Sequence, residues 1–280
     1  MNPSIEPFSI YTFSPKGLVQ RADDVAVERP LEVRIKHFEK GEWRSDPLVL
    51  TMRSPGQDRA MIMGYLKAED IISSVDDVWN QKYLSVGSDD QGTLDRIEVQ
   101  LKKHIPLDRD RLGRHFISNS SCGMCGKERM ENLNPSPYLL SAESLRIKAT
   151  QLGRLPQLLN STQKGFQRSG GMHAVAFFDN QGHILSHAED VGRHNALDKL
   201  IGQRMLDYTA PFSTVGLLLS GRASYELIQK SLMVGVPMVV SIGAPSSLAI
   251  ELSNENNQTL VGFLKEKSMN IYSGKERLLF

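Results

Sequence analysis

The stretch from Val215 to Leu264, VGLLLSGRASYELIQKSLMVGVPMVVSIGAPSSLAIELSNENNQTLVGFL, decides the fold. Val215 to Leu219 and Pro237 to Ile242 are short, mainly apolar runs, the pattern of strands covered on both faces. Each leads into a turn, Ser220-Gly221-Arg222-Ala223-Ser224 or Gly243-Ala244-Pro245-Ser246-Ser247. Helical stretches follow, Tyr225 to Val234 and Leu248 to Asn254, and Thr259 to Leu264 reads as a third strand. This βαβαβ succession predicts parallel strands joined by right-handed crossovers. Ligands of such sheets lie beyond the carboxyl ends of the strands, where both turns fall. Free backbone N–H groups and a helix dipole there suit phosphate oxygens. Arg222 adds a side chain able to make paired contacts to phosphate or to a guanine edge. Serine is also the favoured N-cap, so Ser224 and Ser246 are equally compatible with plain helix initiation.

Upstream, His173 to Phe178 and His183 to His187 flank Asp179-Asn180-Gln181-Gly182 and predict a hairpin. Glu189-Asp190-Val191-Gly192-Arg193-His194-Asn195 follows, and Asn195 to Leu206 reads as a helix with Ala196, Leu197, Leu200 and Ile201 on one side. Glu189 and Asp190 are placed where the positive end of that helix favours negative charge. Arg193 suits an anion contact and His194 a donor or proton relay; a buried, hydrogen-bonded histidine at a capped helix fits as well. Gly170-Gly171, just before His173, either brings backbone close to a ligand or simply starts the strand. Leu139 to Leu159 is helix-like, bent or split by Pro156.

The N-terminal part has a different texture. Residues 1–22 read as a loose arm broken by Pro3, Pro7 and Pro15. Val25, Val27, Leu31, Val33 and Ile35 alternate with polar residues as in a half-buried strand interrupted at Pro30. Leu48 to Met52 and Arg96 to Leu101 read as further strands, and residues 57–68 as a short amphipathic helix. The expected organisation is a flexible arm (1–22), a small α+β domain (23–115), a cysteine-bearing loop (116–138) and a larger α/β domain (139–280).

Cys122 and Cys125 are the chain's only cysteines, set in Ser120-Ser121-Cys122-Gly123-Met124-Cys125-Gly126-Lys127. Lys127 and Arg129 favour thiolate over thiol. Three chemistries are compatible with the pair. A disulfide would close a tiny loop and stabilise little. A structural zinc site needs four ligands, and only half a site is present, with His115 the nearest histidine. A reactive thiol, redox or sulfur-carrying, needs nothing beyond the residues present.

A formal charge of +1 gives no bulk attraction for nucleic acid or anionic membrane. No apolar run approaches the 18 or so residues of a membrane span, and the N-terminus lacks a signal-peptide pattern. A cytoplasmic protein without membrane insertion is expected, since two close cysteines suit a reducing compartment.

These motifs occur together with Asp24-Val25-Ala26-Val27-Glu28, Leu50-Thr51-Met52-Arg53-Ser54-Pro55-Gly56 and Gly170-Gly171-Met172-His173-Ala174, in that chain order. The chain thereby resembles the FdhD family of formate dehydrogenase accessory sulfurtransferases, from about residue 23 to 273. The resemblance implies a cytidine-deaminase-like larger domain, with a mixed sheet and flanking helices, beside a smaller N-terminal α+β domain. It implies that sulfane sulfur from a cysteine desulfurase is taken up as a Cys122 persulfide, with Cys125 as a possible assisting thiol. The sulfur passes to the bis-molybdopterin guanine dinucleotide molybdenum cofactor of formate dehydrogenase. By the same resemblance Phe263, Leu264, Lys265, Glu266, Lys267 and Ser268 bind that cofactor, and members form homodimers. Gly170, Gly171, His173, Arg193, His194, Ser220, Gly221, Arg222, Ser224 and Ser246 are the further candidates from the turns and helix starts. No intrinsic metal is expected, because no second cysteine pair exists to hold zinc. Glu128-Arg129-Met130 departs from the small or hydroxylic residues frequent in the family at that place. Two alternatives are a cofactor-binding chaperone in which Cys122 is dispensable and a thiol-disulfide oxidoreductase using both cysteines.

Overall fold

A computed structural model describes residues 4–85, 94–107, 140–141, 144–207 and 210–280. The chain opens with two ten-residue strands, β1 (Ile5–Ser14) and β2 (Gly17–Ala26), paired in one antiparallel hairpin. The loose arm expected for residues 1–22 is therefore corrected, and β2 crosses its boundary. Pro7 and Pro15 misled because both fit a hairpin: the first lies on an edge strand and the second in the turn between Ser14 and Gly17, while Pro3 lies outside the described residues.

Strands β3 (Arg29–Glu39) and β4 (Glu42–Arg53) form a second hairpin, followed by helix α1 (Asp58–Ala68), β5 (Val78–Ser85) and β6 (Asp95–Leu101). They make a four-stranded sheet in the order β4-β3-β6-β5. Alternation in β3 explains the layer: Leu31, Val33 and Ile35 are buried with α1, while Glu32 and Arg34 face the other way. Pro30 does not interrupt this strand. It pairs with Met52 at the strand's start, before the β6 ladder begins at Leu31.

The second unit begins with β7 (Ile147–Lys148), α2 (Ala149–Leu152), α3 (Leu155–Thr162) and α4 (Lys164–Ser169). The single bent helix expected over 139–159 is thus divided, and Pro156 sits in the first turn of α3, where its missing N–H costs nothing. Next come β8 (His173–Phe178), β9 (Ile184–Asp190), α5 (Arg193–Leu206), β10 (Gly216–Leu219), α6 (Tyr225–Met233), β11 (Met238–Ser241) and α7 (Ser247–Glu255). Finally β12 (Thr259–Lys265), β13 (Ser268–Ser273) and β14 (Leu278–Leu279) complete the chain. The six-stranded sheet runs β13-β12-β11-β10-β8-β9, with β10, β11 and β12 parallel and the others antiparallel.

Both faces of that sheet are covered, which is why its strands read as unbroken apolar runs. Val175, Phe177, Leu217, Leu219 and Val239 pack beneath α5, α6 and α7. Ala176, Phe178, Leu218, Val240 and Val261 pack against Leu152, Leu155 and Leu159 of the other layer. No described helix is long and apolar enough to cross a membrane.

Helix α5 joins the two units. Its expected single apolar side is too narrow a description: every residue from Asn195 to Gly202 is buried, because the sheet covers one side and α1 the other. A Cβ at Gly64 of α1 would overlap the Asp198 carbonyl and come 2.9 Å from the Gly202 nitrogen. A Cβ at Gly202 would overlap the Ala60 carbonyl and come 2.8 Å from the Gly64 nitrogen. Backbone meets backbone, so no side chain can swing aside to make room. Gly202→Ala is expected to destabilise the protein by about 1–3 kcal/mol or more, read as a lowered midpoint in urea unfolding. Gly235→Ala is the unsuitable comparison, since its positive φ adds strain of its own; an exposed serine such as Ser247→Ala serves as the neutral control.

Candidate functional site

The register of the larger sheet gathers five chain segments at one edge. β8 runs antiparallel to β10, so its start lies at the end of β10, with Leu219 opposite Val175. His173 pairs with Asp190 at the end of β9. Beyond β10 and β11 the two turns extend the ladder. Ser220 N donates to Ala174 O (3.0 Å), and Gly243 N to Gly221 O (3.0 Å). Ala223 N donates to Ala244 O (3.1 Å), Ser246 N to Ala223 O (3.0 Å) and Phe263 N to Gly243 O (3.0 Å). Gly243 is required for this closeness: a Cβ there would stand 2.9 Å from Arg222 N and from the Gly221 carbonyl.

The predicted residues now separate by role. Ser220 Oγ accepts from Ala174 N at 2.9 Å and so ties β10 to β8. Ser246 caps α7 by accepting from Ala249 N, whereas Ser224, at the same place before α6, makes no capping bond. Arg222 is exposed and forms no salt bridge with a described residue. The His173 ring lies against Gly221, 3.3 Å from where a Cβ would stand. Gly170 and Gly171 do not join the turns. Gly170 ends α4 in the left-handed conformation and Gly171 lies against Ala26 of β2.

Arg193 and His194 open α5, and both are half-buried. His194 Nε2 stands 3.6 Å from Glu226 Oε2 of α6. Burial holds the His194 ring below the usual histidine range, with Arg193 and Lys230 adding to the effect and Glu226 opposing it. His173 is lowered likewise, by burial first and then by Arg193 and His194. Glu226, beside the His194 ring, is pulled down to about 2. The edge therefore presents arginine charge and two imidazoles held towards neutrality, a set able to bind an anion and donate or accept a hydrogen bond.

A buried junction holds this edge in place. Asp190 is wholly buried and pairs with Lys199 at 2.6 Å. Asp190 Oδ1 accepts from Gly192 N (2.8 Å) and Oδ2 from Ser54 N (3.1 Å). Lys199 Nζ also donates to Ser54 O at 2.8 Å, and Asn195 Nδ2 donates to Met52 O at 2.7 Å. The end of β4 is thus bonded to the start of α5. Asp190, accepting from the N-cap Gly192, serves the start of α5 as expected, whereas the same expectation for Glu189 needs correction. Glu189 instead accepts from Gly165 N (2.9 Å) and Phe166 N (2.8 Å) at the start of α4. A pocket of about 290 Å³ opens beside this junction, between residues 55–57 and β9.

The segment from Phe263 to Ser268 spans the end of β12 and its turn into β13. Phe263 has a left-handed backbone (φ 51°) in a bulge of the ladder and is 44 % exposed. A bulge re-aims a side chain, here outward beside the Gly243 turn. Leu264 points inward among Val261, Leu152 and Leu278, which leaves only its backbone for a ligand. Lys265, Glu266, Lys267 and Ser268 are exposed. Cys122, Cys125 and the loop 116–138 lie outside the described residues. Sequence reasoning missed Lys199 and Glu226. A lysine amid Ala196, Leu197, Leu200 and Ile201 was the available signal for the first; the second carried none.

The FdhD/NarQ family profile matches residues 26–279. The chain belongs to this family. Among FdhD relatives, the "Sulfur carrier protein FdhD" of Nocardia farcinica is 38 % identical over 272 residues, covering 96 % of this chain and 93 % of that one. The protein of the same description from Saccharolobus solfataricus is 38 % identical over 278 residues, covering 99 % and 100 %. A crystal structure from Desulfotalea psychrophila, described as a formate dehydrogenase accessory protein, superposes with a TM-score of 0.73 at 20 % identity. It covers 99 % of this chain and 100 % of its own, and shows that the mixed α/β architecture is shared.

The sheet edge should be acid-sensitive. Glu226 ordinarily titrates near 4.5 and here near 2, so its contribution is complete above pH 4.5 and is lost as pH falls towards 2. His194, lowered from 6.5, adds a loss of the same sign that begins nearer neutrality. In melting temperatures measured from pH 7 to pH 2, Glu226→Gln is expected to flatten the fall below pH 4.5 and, because Glu226 opposes the lowering of His194, to steepen the limb nearer neutrality.

Proposed function

We propose that this chain is a cytoplasmic sulfurtransferase in which Cys122 carries sulfane sulfur from a cysteine desulfurase to the molybdenum cofactor used by formate dehydrogenase. The observation that carries this reading is a conjunction. A chain whose FdhD relatives are named sulfur carrier proteins holds one Cys122–Cys125 pair and an edge where Arg193, Arg222, His173 and His194 meet two glycine–serine turns. We read the larger unit as the deaminase-like domain, with no metal of its own and the molybdenum cofactor as substrate.

In the first step the Cys122 thiolate attacks the terminal sulfur of the donor persulfide, a new S–S bond forms, and the donor thiolate leaves. Release of that sulfur as hydrosulfide needs two electrons. Cys125 can supply them by attacking the Cys122 sulfur, so that a disulfide forms as HS⁻ departs. At the sheet edge, backbone N–H groups and the two arginines bind the phosphates of the guanine dinucleotide. Phe263, Lys265, Glu266, Lys267 and Ser268, with the Leu264 backbone, line the same end of β12 and complete the site.

Incubation with a cysteine desulfurase and cysteine is expected to add one sulfur atom at Cys122, read by mass spectrometry. Cys122→Ser should abolish both that adduct and the activation of formate dehydrogenase in cells. Full activation by Cys122→Ser would favour a carrier that only holds the cofactor. Arg193→Ala is expected to weaken binding of guanosine diphosphate about tenfold by calorimetry, with loading of Cys122 unchanged.

A further inference from the structure

The pocket beside the Asp190–Lys199 junction shares no lining residue with the sheet-edge candidates. At about 290 Å³ it stands at the small end of the range for ligand sites, the size of a metabolite rather than of a dinucleotide. Pro55, Met172 and Ala188 are buried and give it an apolar floor, while the exposed Gln57 and His187 stand at its rim. Its remaining groups fall into two sets of opposite sign.

The first set attracts an anion. Gln57, the N-cap of the eleven-residue α1, has left-handed backbone (φ 57°, ψ 23°) and makes no side-chain capping bond. Left-handed Gln57 followed by right-handed Asp58 turns successive N–H groups towards one point, a nest for negative charge. The N–H groups of Gln57 and Asp58 meet no described acceptor, and the positive end of α1 adds to their effect. Glycine would take this backbone without cost, so a glutamine here is strained in the way residues at binding sites often are. Lys199 supplies an independent donor. It is only 2 % exposed yet lines the pocket. Asp190 (2.6 Å) and Ser54 O (2.8 Å) engage two of its three N–H groups, and the third has no described partner.

The second set is Glu189. Its oxygens accept from Gly165 N and Phe166 N, and no described lysine or arginine pairs with it. A half-buried carboxylate without a cation is satisfied by an ammonium group. A simple anion would be repelled by Glu189, and a simple amine would leave the nest and Lys199 unmet. A molecule carrying both charges a few atoms apart answers both sets.

We propose that this pocket binds a small α-amino acid with an uncharged side chain. Its carboxylate meets the nest and the third N–H of Lys199, its ammonium meets Glu189, and its side chain packs on Pro55 and Met172. Binding is reversible and needs neither cysteine of the chain nor a sulfur donor, so it stands or falls separately from sulfur transfer.

A thermal-shift panel of the twenty standard L-amino acids on the full chain, followed by calorimetry, tests it. At least one with an uncharged side chain is expected to raise the melting temperature, with a Kd of roughly 0.1–1 mM. Its D-enantiomer, its methyl ester and its N-acetyl derivative should each bind about tenfold more weakly or worse. Glu189→Gln, which keeps the size and removes the charge, should weaken binding about tenfold. Because Glu189 also holds the start of α4, the exposed Gln57 gives a reading free of folding effects. Gln57→Lys should bind at least as tightly as the unaltered chain and Gln57→Glu about threefold more weakly, with equal melting temperatures in the absence of ligand. No shift from any L-amino acid, a D-enantiomer or derivative that binds as tightly as the parent, an unaffected Glu189→Gln, or no difference between the two Gln57 variants would overturn the proposal.

Discussion

The backbone contact between α1 and α5 at Gly64 and Gly202 governs the rest of the molecule. Two helices that touch without intervening side chains can lie in one relation only, and α1 brings the four-stranded sheet with it. Around the crossing, polar groups that would be costly to bury singly are satisfied in sets. Lys230 of α6 reaches Asp198 of α5 at 2.6 Å and lies 5.1 Å from the centre of the Tyr65 ring of α1. Lys199 closes the Asp190–Ser54 junction at the start of the same helix. Removing one member of such a set leaves a charge unpaired in the interior, so the junction is rigid in the way an all-apolar contact need not be.

Rigidity there has a consequence at the sheet edge. Arg193 and His194 occupy the first turn of α5, directly after the Asp190 anchor, and cannot drift relative to His173 on the neighbouring strand. The turns after β10 and β11 are bonded to one another and to β12 through main-chain groups. An edge built this way presents its side chains from a stiff frame, the condition for recognising a polyanionic ligand without first ordering a loop. Phe263, held in a bulge with left-handed backbone, adds an exposed aromatic ring at the same end.

Much of this was legible in residue order. Val215 to Leu219 announced a strand covered on both faces, and the two glycine–serine turns marked the carboxyl edge. What misled were residues with two physical readings. Pro7 and Pro15 break helices and central strands, yet fit an edge strand and a turn. The alternation around Trp79 and Tyr83 in β5 is masked because the strand lies at the sheet's edge with much of its apolar surface exposed. Glu189 looked like a partner for α5 and serves α4, because acceptor and donor are 24 residues apart in the chain.

By itself the amino-acid order determined the parallel βαβαβ core, the position of the turns and the family to which the cysteine motif belongs, since these depend on local periodicity and short-range spacing. Tertiary structure alone decided that α5 is buried on all sides, that Glu226 lies beside His194 and that Asp190 bonds to Ser54. Those pairings join residues 32 to 136 positions apart, and only the closed chain, with Gly64 against Gly202, brings such groups within bonding distance.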